Sequence, residues 1–265
     1  MFLSGKRKSP ASLNSIIPNI LTILALCAGM TAIRFALQEN WEAALGAILV
    51  AAILDGLDGR MARLLKGATK FGAELDSLSD FIAFGVAPGI IAYLWSGGGA
   101  ALGGVGWIAA LAYAACCALR LARFNTALED PDRPAWASDF FTGTAAPAAA
   151  GFAMLPIMAS FLIGDSIVRS PAFITVWLLL VGFLMISKIP TYSFKRLKVN
   201  RDHILPTLVG VALFAALAAV FPWAALTLFM LSYLGLMPFS YRSHKNLRKQ
   251  QQLKELNADD NEDVS

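Results

Sequence analysis

The chain has 265 residues, of which 57% are hydrophobic and only 15% are charged, and its mean hydropathy is +0.61. These values exclude an ordinary water-soluble domain and are typical of a membrane protein. The formal net charge is a modest +4, and no nucleic-acid partner is predicted.

Eight stretches are apolar enough to form transmembrane helices, since a helix needs about 20 apolar residues to cross a bilayer. They cover residues 17–37, 41–60, 74–96, 104–124, 143–163, 171–189, 204–221 and 222–240. The predicted fold is therefore an all-α polytopic membrane protein with about eight spans. No removable signal peptide is indicated, so Met1 is expected to stay in place.

The basic residues predict the orientation of these spans. With the N-terminus in the cytoplasm, all of the 22 Lys and Arg residues except Arg34 and Arg169 fall on the cytoplasmic side. We therefore expect an inner (cytoplasmic) membrane protein with both termini in the cytoplasm. Residues 1–16, which are polar and basic, are expected to lie on the anionic leaflet.

The first span opens with a short polar motif, Pro18, Asn19 and Thr22. A proline suits the first turn of a helix, and Asn19 and Thr22 fall on one helical face. Ordinary capping and backbone hydrogen bonding would explain the two polar residues, and so would a place in a polar pocket.

Four aspartates stand in and between the second and third spans, beside very apolar flanks: Asp55, Asp58, Asp76 and Asp80. Spacings of three and four residues put each pair on one helical face. Gly67 is a turn signal that would let the two helices run antiparallel and bring the pairs together. Converging carboxylates need compensation by cations, and oxygen ligands favour Mg²⁺ or Mn²⁺. The alternative is two helix ends whose acids face water.

Small and basic residues accompany these acids. Gly59 and Ala62 leave room for a flat base or a pyrophosphate, although close packing of membrane helices would explain them equally well. Arg63 would either bind phosphate or extend to the membrane interface. Arg120 and Arg123, at the end of the fourth span, are either ligands or interfacial anchors.

The spacing D-x2-D-G-x2-A-R-x8-G-x3-D-x3-D resembles the signature of the CDP-alcohol phosphotransferases. In this chain it is filled by Asp55, Asp58, Gly59, Ala62, Arg63, Gly72, Asp76 and Asp80. The resemblance implies an enzyme in which an alcohol displaces CMP from a CDP-linked lipid, with two divalent cations, Mg²⁺ or Mn²⁺, as cofactors. It also implies a homodimer.

The resemblance further implies roles for individual residues. Asp55, Asp58 and Asp76 would hold the metals, and Asp80 would be the general base while also touching the second metal. The CDP-lipid would be bound by Asn19, Thr22, Gly59, Ala62, Arg63 and Gly72.

Three further stretches resemble the serine-using branch of the family, the phosphatidylserine synthases. They are RLARFN at 120–125, FTGTAAPAAA at 141–150 and PTYSFK at 190–195, although the second departs from the usual leucine and proline at 144–145. The implied substrates are CDP-diacylglycerol and L-serine, with the serine carboxylate held by Arg120, Arg123 or Lys195.

Two alternatives remain open at this point. Glycerol 3-phosphate or inositol phosphate would serve as acceptor in the same chemistry. Intramembrane acids and Gly/Pro-broken helices are also marks of a cation-coupled secondary transporter, although no inverted repeat is visible. We expect a six-helix catalytic core at 17–203, a transmembrane hairpin at 204–240 and a disordered cytoplasmic tail at 241–265.

Overall fold

A computed structural model describes residues 13–98, 104–128, 141–165, 168–187, 190–191 and 204–236. Within these ranges it contains one helix for each predicted span. The helices are α1 Leu13–Leu37, α2 Trp41–Leu64, α3 Lys70–Trp95, α4 Val105–Leu128, α5 Ala146–Ile163, α6 Pro171–Ile186, α7 Ile204–Val220 and α8 Pro222–Leu236. The prediction of an all-α polytopic membrane protein is confirmed.

The helices differ in how well they suit a bilayer. Helices α1, α3, α4 and α5 are long and apolar enough to cross a membrane, and α6, α7 and α8 are shorter apolar helices. Helix α2 has 24 residues, but its second half carries Asp55, Asp58, Arg60 and Arg63. The charged residues of this helix are therefore concentrated in its second half, and Glu42 is the charged residue of its first turn.

Several predicted boundaries were wrong by a few residues, and one error matters for the site. Helix α1 begins at Leu13, so Pro18 lies inside the helix rather than in its first turn. Proline has no N–H to give to the carbonyl four residues earlier, so the carbonyl of Asn14 loses its helical donor. The loop after α2 comes close to this carbonyl, because a side chain at Gly67 would overlap the Asn14 oxygen.

Helix α3 lies between α1 and α4 and changes its winding in the middle. It is α-helical over Lys70–Asp80 and Ala87–Trp95, and the segment Phe81–Val86 between them is a π-helical turn. Such turns are frequent at functional sites. Pro88 cannot donate to the Phe84 carbonyl, and the buried Tyr113 hydroxyl of α4 donates to that carbonyl at 2.8 Å.

The same solution recurs in α5. Pro156 lies inside this helix, and Trp177 of α6 donates its Nε1 proton to the Phe152 carbonyl, four residues before the proline, at 2.7 Å. A carbonyl without a partner is costly where no water can reach it. An aromatic donor from a neighbouring helix therefore accompanies each of these two interior prolines.

Close packing of small residues brings the helices together. Helix α1 lies along α2, and α4 lies along α6. The core contains many alanines, and a side chain at Gly29 of α1 would stand only 2.7 Å from the Ala83 Cα of α3. Small residues at such contacts let helix backbones approach closely in a membrane.

One short element was not predicted. Strand β1 (Phe141–Thr142) pairs antiparallel with β2 (Pro190–Thr191), with Phe141 opposite Thr191. The pairing joins the chain just before α5 to the chain just after α6. It brings together two of the three stretches that resemble the serine-using branch.

Candidate active site

The loop between α2 and α3 brings the two pairs of aspartates together. Lys66 adopts the left-handed conformation with φ of 50°, so the turn is made at Lys66, and Gly67 allows the close approach to α1 described above. Thr69 then caps α3 by accepting a hydrogen bond from the Gly72 amide at 3.0 Å. Asp76 follows two turns into α3 from this cap.

Three of the four predicted acids form one cluster. Asp55, Asp76 and Asp80 each place a carboxylate oxygen within 4.8 Å of the others. Asp55 and Asp80 are within hydrogen-bonding reach of each other. We call these three residues the acid cluster.

Asp58 stands beside the cluster and has a different partner. It is only 5% exposed, and its Oδ2 accepts a hydrogen bond of 2.6 Å from the Thr22 hydroxyl of α1. The prediction placed Asp58 among the metal ligands with the other acids. The structure puts it next to Asp76 and outside the group of three mutually close carboxylates.

A cavity of about 180 Å³ opens in front of Asp58 and Asp76. It is lined by residues of α1, the end of α2, the loop and the start of α3: Pro18, Asn19, Thr22, Asp58, Gly59, Ala62, Gly67, Ala68, Thr69, Gly72, Ala73 and Asp76. Five of the six residues predicted to bind the CDP-lipid line it. The sixth, Arg63, is exposed on the last turn of α2 and does not line it.

Small side chains explain how this cavity stays open. A side chain at Gly72 would stand 2.9 Å from Asn19 Oδ1, whereas a Cβ at Gly59 would meet no atom within 4 Å. The Gly72 position is therefore restricted by the asparagine beside it, and the Gly59 position faces open space. Sequence reasoning missed Ala68, Thr69 and Ala73, which carry no signal of their own beyond their place in the loop and first turn.

Asp76 links the acid cluster to the cavity, because it belongs to both. Its Oδ1 is buried and has no hydrogen-bond partner among the described residues. A buried carboxylate oxygen without a donor is unfavourable unless a ligand or an ion completes it. The oxygen-only donor set and this orphaned oxygen fit a hard divalent cation.

Among the described residues, Arg120 of α4 is a basic side chain that interacts with the acid cluster. Its guanidinium interacts electrostatically with Asp80 and Asp55, and its buried Nε has no hydrogen-bond partner among the described residues. Arg123, one turn later, donates from Nη1 to the Ile186 carbonyl at the end of α6 at 3.0 Å. The structure therefore separates two arginines that the sequence could not distinguish, and Lys195 lies outside the described residues.

Two serines between the acids were missed altogether. Ser77 accepts a hydrogen bond of 2.9 Å from Asn125 of α4, and Ser79 donates one of 3.0 Å to the Thr22 carbonyl of α1. Both bonds cross between helices and join residues 48 and 57 positions apart. In the motif DSLSD, the two acids thus enclose two serines that anchor α3 to its neighbours.

Comparison with known proteins agrees with this site. The profile of the CDP-alcohol phosphatidyltransferase family matches residues 15–189, and a second profile, CDP-alcohol phosphatidyltransferase 2, matches residues 203–238. The first match contains α1 to α6 except for the first two residues of α1, and with them the acid cluster and the cavity.

Similar proteins come from several bacteria, and each is named CDP-diacylglycerol–serine O-phosphatidyltransferase. The one from Mycobacterium tuberculosis is 37% identical over 248 residues, covering 91% of this chain and 84% of the relative. Those from Helicobacter pylori (37%, 83% of this chain and 88% of the relative) and Bacillus subtilis (33%, 68% and 92%) are also similar. With the family profile spanning the whole site and relatives alike over most of their length, the chain belongs to the CDP-alcohol phosphatidyltransferase family.

Proposed function

We propose that this protein transfers the phosphatidyl group of CDP-diacylglycerol to the hydroxyl of L-serine, giving phosphatidylserine and CMP. The observation that carries the proposal is the acid cluster joined through Asp76 to a cavity lined by the family signature. The names of the relatives support the choice of serine as acceptor.

The cavity suits the CDP part of the substrate. Gly59, Ala62 and Gly72 keep it wide, and Asn19 offers an amide to a base or a ribose at its wall. Because Asp58 and Asp76 face the same space, the pyrophosphate of a lipid bound there would lie beside the carboxylates. Arg63 stands outside the cavity and would reach only a phosphate at its mouth.

Two divalent cations, Mg²⁺ or Mn²⁺, would be held by Asp55, Asp58, Asp76 and Asp80. When bound, they neutralise the pyrophosphate and the charge that develops on the attacking and leaving oxygens. Without positive charge, four close carboxylates would repel a pyrophosphate. Arg120 supplies part of that charge from the protein itself.

The reaction forms a bond between the serine hydroxyl oxygen and the phosphorus that bears diacylglycerol. The bond from that phosphorus to the bridging oxygen of the pyrophosphate breaks, and CMP leaves with this oxygen. Asp80, as general base, takes the proton of the serine hydroxyl. In this proposal Arg120 would hold the serine carboxylate, because its guanidinium interacts with Asp80, and Arg123 and Lys195 are further candidates.

The surroundings of the site belong to the same proposal. We place the active site and both termini on the cytoplasmic side of the inner membrane, from which serine would enter. We also retain the division into a core at 17–203, a hairpin at 204–240 and a tail at 241–265. The homodimer implied by the family resemblance would be tested by the mass of the purified protein in nanodiscs.

The proposal is tested with purified protein in mixed micelles that contain CDP-diacylglycerol and Mn²⁺. Radiolabelled serine should enter lipid with release of one CMP per product, and unlabelled glycerol 3-phosphate or inositol phosphate should not compete. Competition by either phosphate would identify that phosphate, rather than serine, as the acceptor. Absence of CMP release with every acceptor would overturn the enzymatic proposal and leave the secondary transporter.

A further inference from the structure

A buried chain of hydrogen bonds connects the three helices that build the cavity. Ser79 of α3 donates to the Thr22 carbonyl of α1 at 3.0 Å, and the Thr22 hydroxyl donates to Asp58 Oδ2 of α2 at 2.6 Å. Ser79 and Thr22 are each 3% exposed, and Asp58 is 5% exposed. These are three of the few buried polar side chains among the described residues, and they are in series.

The Thr22 hydroxyl is used differently from those of comparable threonines. A threonine in a helix commonly donates to the carbonyl four residues earlier. Buried Thr175 does so, at 2.8 Å from the Pro171 oxygen. Thr22 lies 3.1 Å from the equivalent Pro18 oxygen but only 2.6 Å from the Asp58 carboxylate. Since a hydroxyl has one proton, the shorter bond to a charged acceptor takes it.

This series of hydrogen bonds determines the position of Asp58 relative to Asp76. Ser79 lies between Asp76 and Asp80 in α3, so its bond to α1 holds this helix at a defined height and rotation. The same residue of α1, Thr22, donates its hydroxyl proton to Oδ2 of Asp58. Thr22 of α1 therefore fixes the positions of both carboxylates that face the cavity. It bonds directly to Asp58 of α2, and it holds Asp76 of α3 through Ser79.

We propose that Thr22 and Ser79 are positioning residues that hold Asp58 beside Asp76 for a divalent cation, and that the Thr22 hydroxyl is not a ligand of the CDP-lipid. This inference rests on the proposed function, which supplies the cation. It replaces the lipid-binding role that the family resemblance implies for Thr22. Hydrogen-bond partners of carboxylate ligands commonly change metal affinity by about 10–100-fold when removed.

The test measures Mn²⁺ binding directly, from the loss of the free Mn²⁺ signal in electron paramagnetic resonance, with full-length protein in detergent and no lipid substrate. Thr22→Val should weaken binding by about tenfold, and Thr22→Ser should restore it. Ser79→Ala should weaken it by about threefold, because its effect on Asp58 is indirect. Thr175→Val, which removes a hydroxyl of similar burial far from the acids, should bind Mn²⁺ like the parent protein.

Thermal melting of each variant shows whether it is folded. Should Thr22→Val fail to fold, Ser79→Ala and the pair Thr22→Ser and Thr22→Ala decide the matter in the same assay. Unchanged Mn²⁺ binding in the folded variants, with a raised KM for CDP-diacylglycerol, would overturn the inference and make Thr22 a lipid ligand. Absence of Mn²⁺ binding by the parent protein would instead overturn the cation part of the proposed function, and this inference with it.

Discussion

Asn125, near the end of α4, donates a hydrogen bond of 2.9 Å from Nδ2 to the hydroxyl of Ser77 on α3. Ser77 follows Asp76 directly in the chain. The bond therefore ties the helix that carries Arg120 to the helix that carries Asp76 and Asp80. It is the counterpart, on the other side of α3, of the bond from Ser79 to α1.

Asn125→Leu is expected to lower kcat by about fivefold, because one hydrogen bond of about 1 kcal/mol no longer fixes α4 against α3. The measurement is initial rates at saturating lipid and serine. Thr126→Val is the control, since the Thr126 hydroxyl returns to carbonyls of its own helix. Equal kcat values for the two variants would show that the bond does not matter for turnover.

We expect kcat to fall by about 100-fold or more in each of three variants, Asp55→Asn, Asp58→Asn and Asp76→Asn, because an amide is a poor ligand for a hard cation. Removing a residue that only hydrogen-bonds to a metal ligand already lowers metal affinity or activity by about 10–100-fold. In EDTA, Asp76→Asn should melt a few degrees higher than the parent, because a repulsive charge has been removed. Asp165→Asn, in the connection between α5 and α6, should change kcat little, since Asp165 pairs with Arg169 and belongs to neither the acid cluster nor the cavity. Substantial activity in all three of the variants Asp55→Asn, Asp58→Asn and Asp76→Asn would refute the metal assignment.

Arg120→Ala is expected to raise the KM for serine by about tenfold, which corresponds to one charge-assisted hydrogen bond. Arg120→Lys should restore it only in part, because lysine lacks the planar fork that matches a carboxylate. Arg123→Ala should have the smaller effect, since Arg123 donates to the Ile186 carbonyl. A raised KM for CDP-diacylglycerol alone would reassign Arg120 to the lipid phosphate.

The predicted orientation of the chain implies opposite locations for two reporters. A fusion at Ser265 should report the cytoplasm, and one inserted after Gly98 should report the other side, because nearly all basic residues fall on one side of the spans. Alkaline phosphatase and a fluorescent protein, each active in one compartment, give the two readings. The same compartment for both sites would contradict the eight-span arrangement.

Tyr113→Phe and Trp177→Phe form a matched pair, because each leaves a carbonyl near an interior proline without its donor. Both should lower the free energy of unfolding by about 1–3 kcal/mol. Tyr113→Phe should also reduce kcat, since the Phe84 carbonyl lies in the π-helical turn that follows Asp80. Trp177→Phe should leave kcat nearly unchanged. Equal losses of activity would mean that the effect is one of stability alone.

The parts of the fold that depend on local pattern were predictable. Apolar stretches of about 20 residues predicted the eight helices of the described residues, and the spacing of the aspartates predicted that Asp55, Asp76 and Asp80 lie together. The family signature also identified five residues that line the cavity. Each of these features depends on residues that are close together in the sequence.

The parts that were missed depend on contacts between distant residues. Thr22 and Asp58 are 36 positions apart, and Thr22 and Ser79 are 57 positions apart. No local sequence pattern predicts hydrogen bonds over such separations. The π-helical turn in α3 and the pairing of β1 with β2 likewise arise from packing. The predicted start of α1 was wrong because Pro18 was assigned to the first turn of the helix. A proline also occurs further inside a helix when the freed carbonyl faces another part of the chain.

Because Asp76 belongs both to the acid cluster and to the cavity, events at the two places are linked thermodynamically. Whatever occupies one side changes the charge seen by the other through a shared carboxylate. Any factor by which a cation tightens the binding of a nucleotide must equal the factor by which the nucleotide tightens the binding of the cation. A titration of CDP at several Mn²⁺ concentrations, and of Mn²⁺ at several CDP concentrations, should therefore return a single coupling free energy.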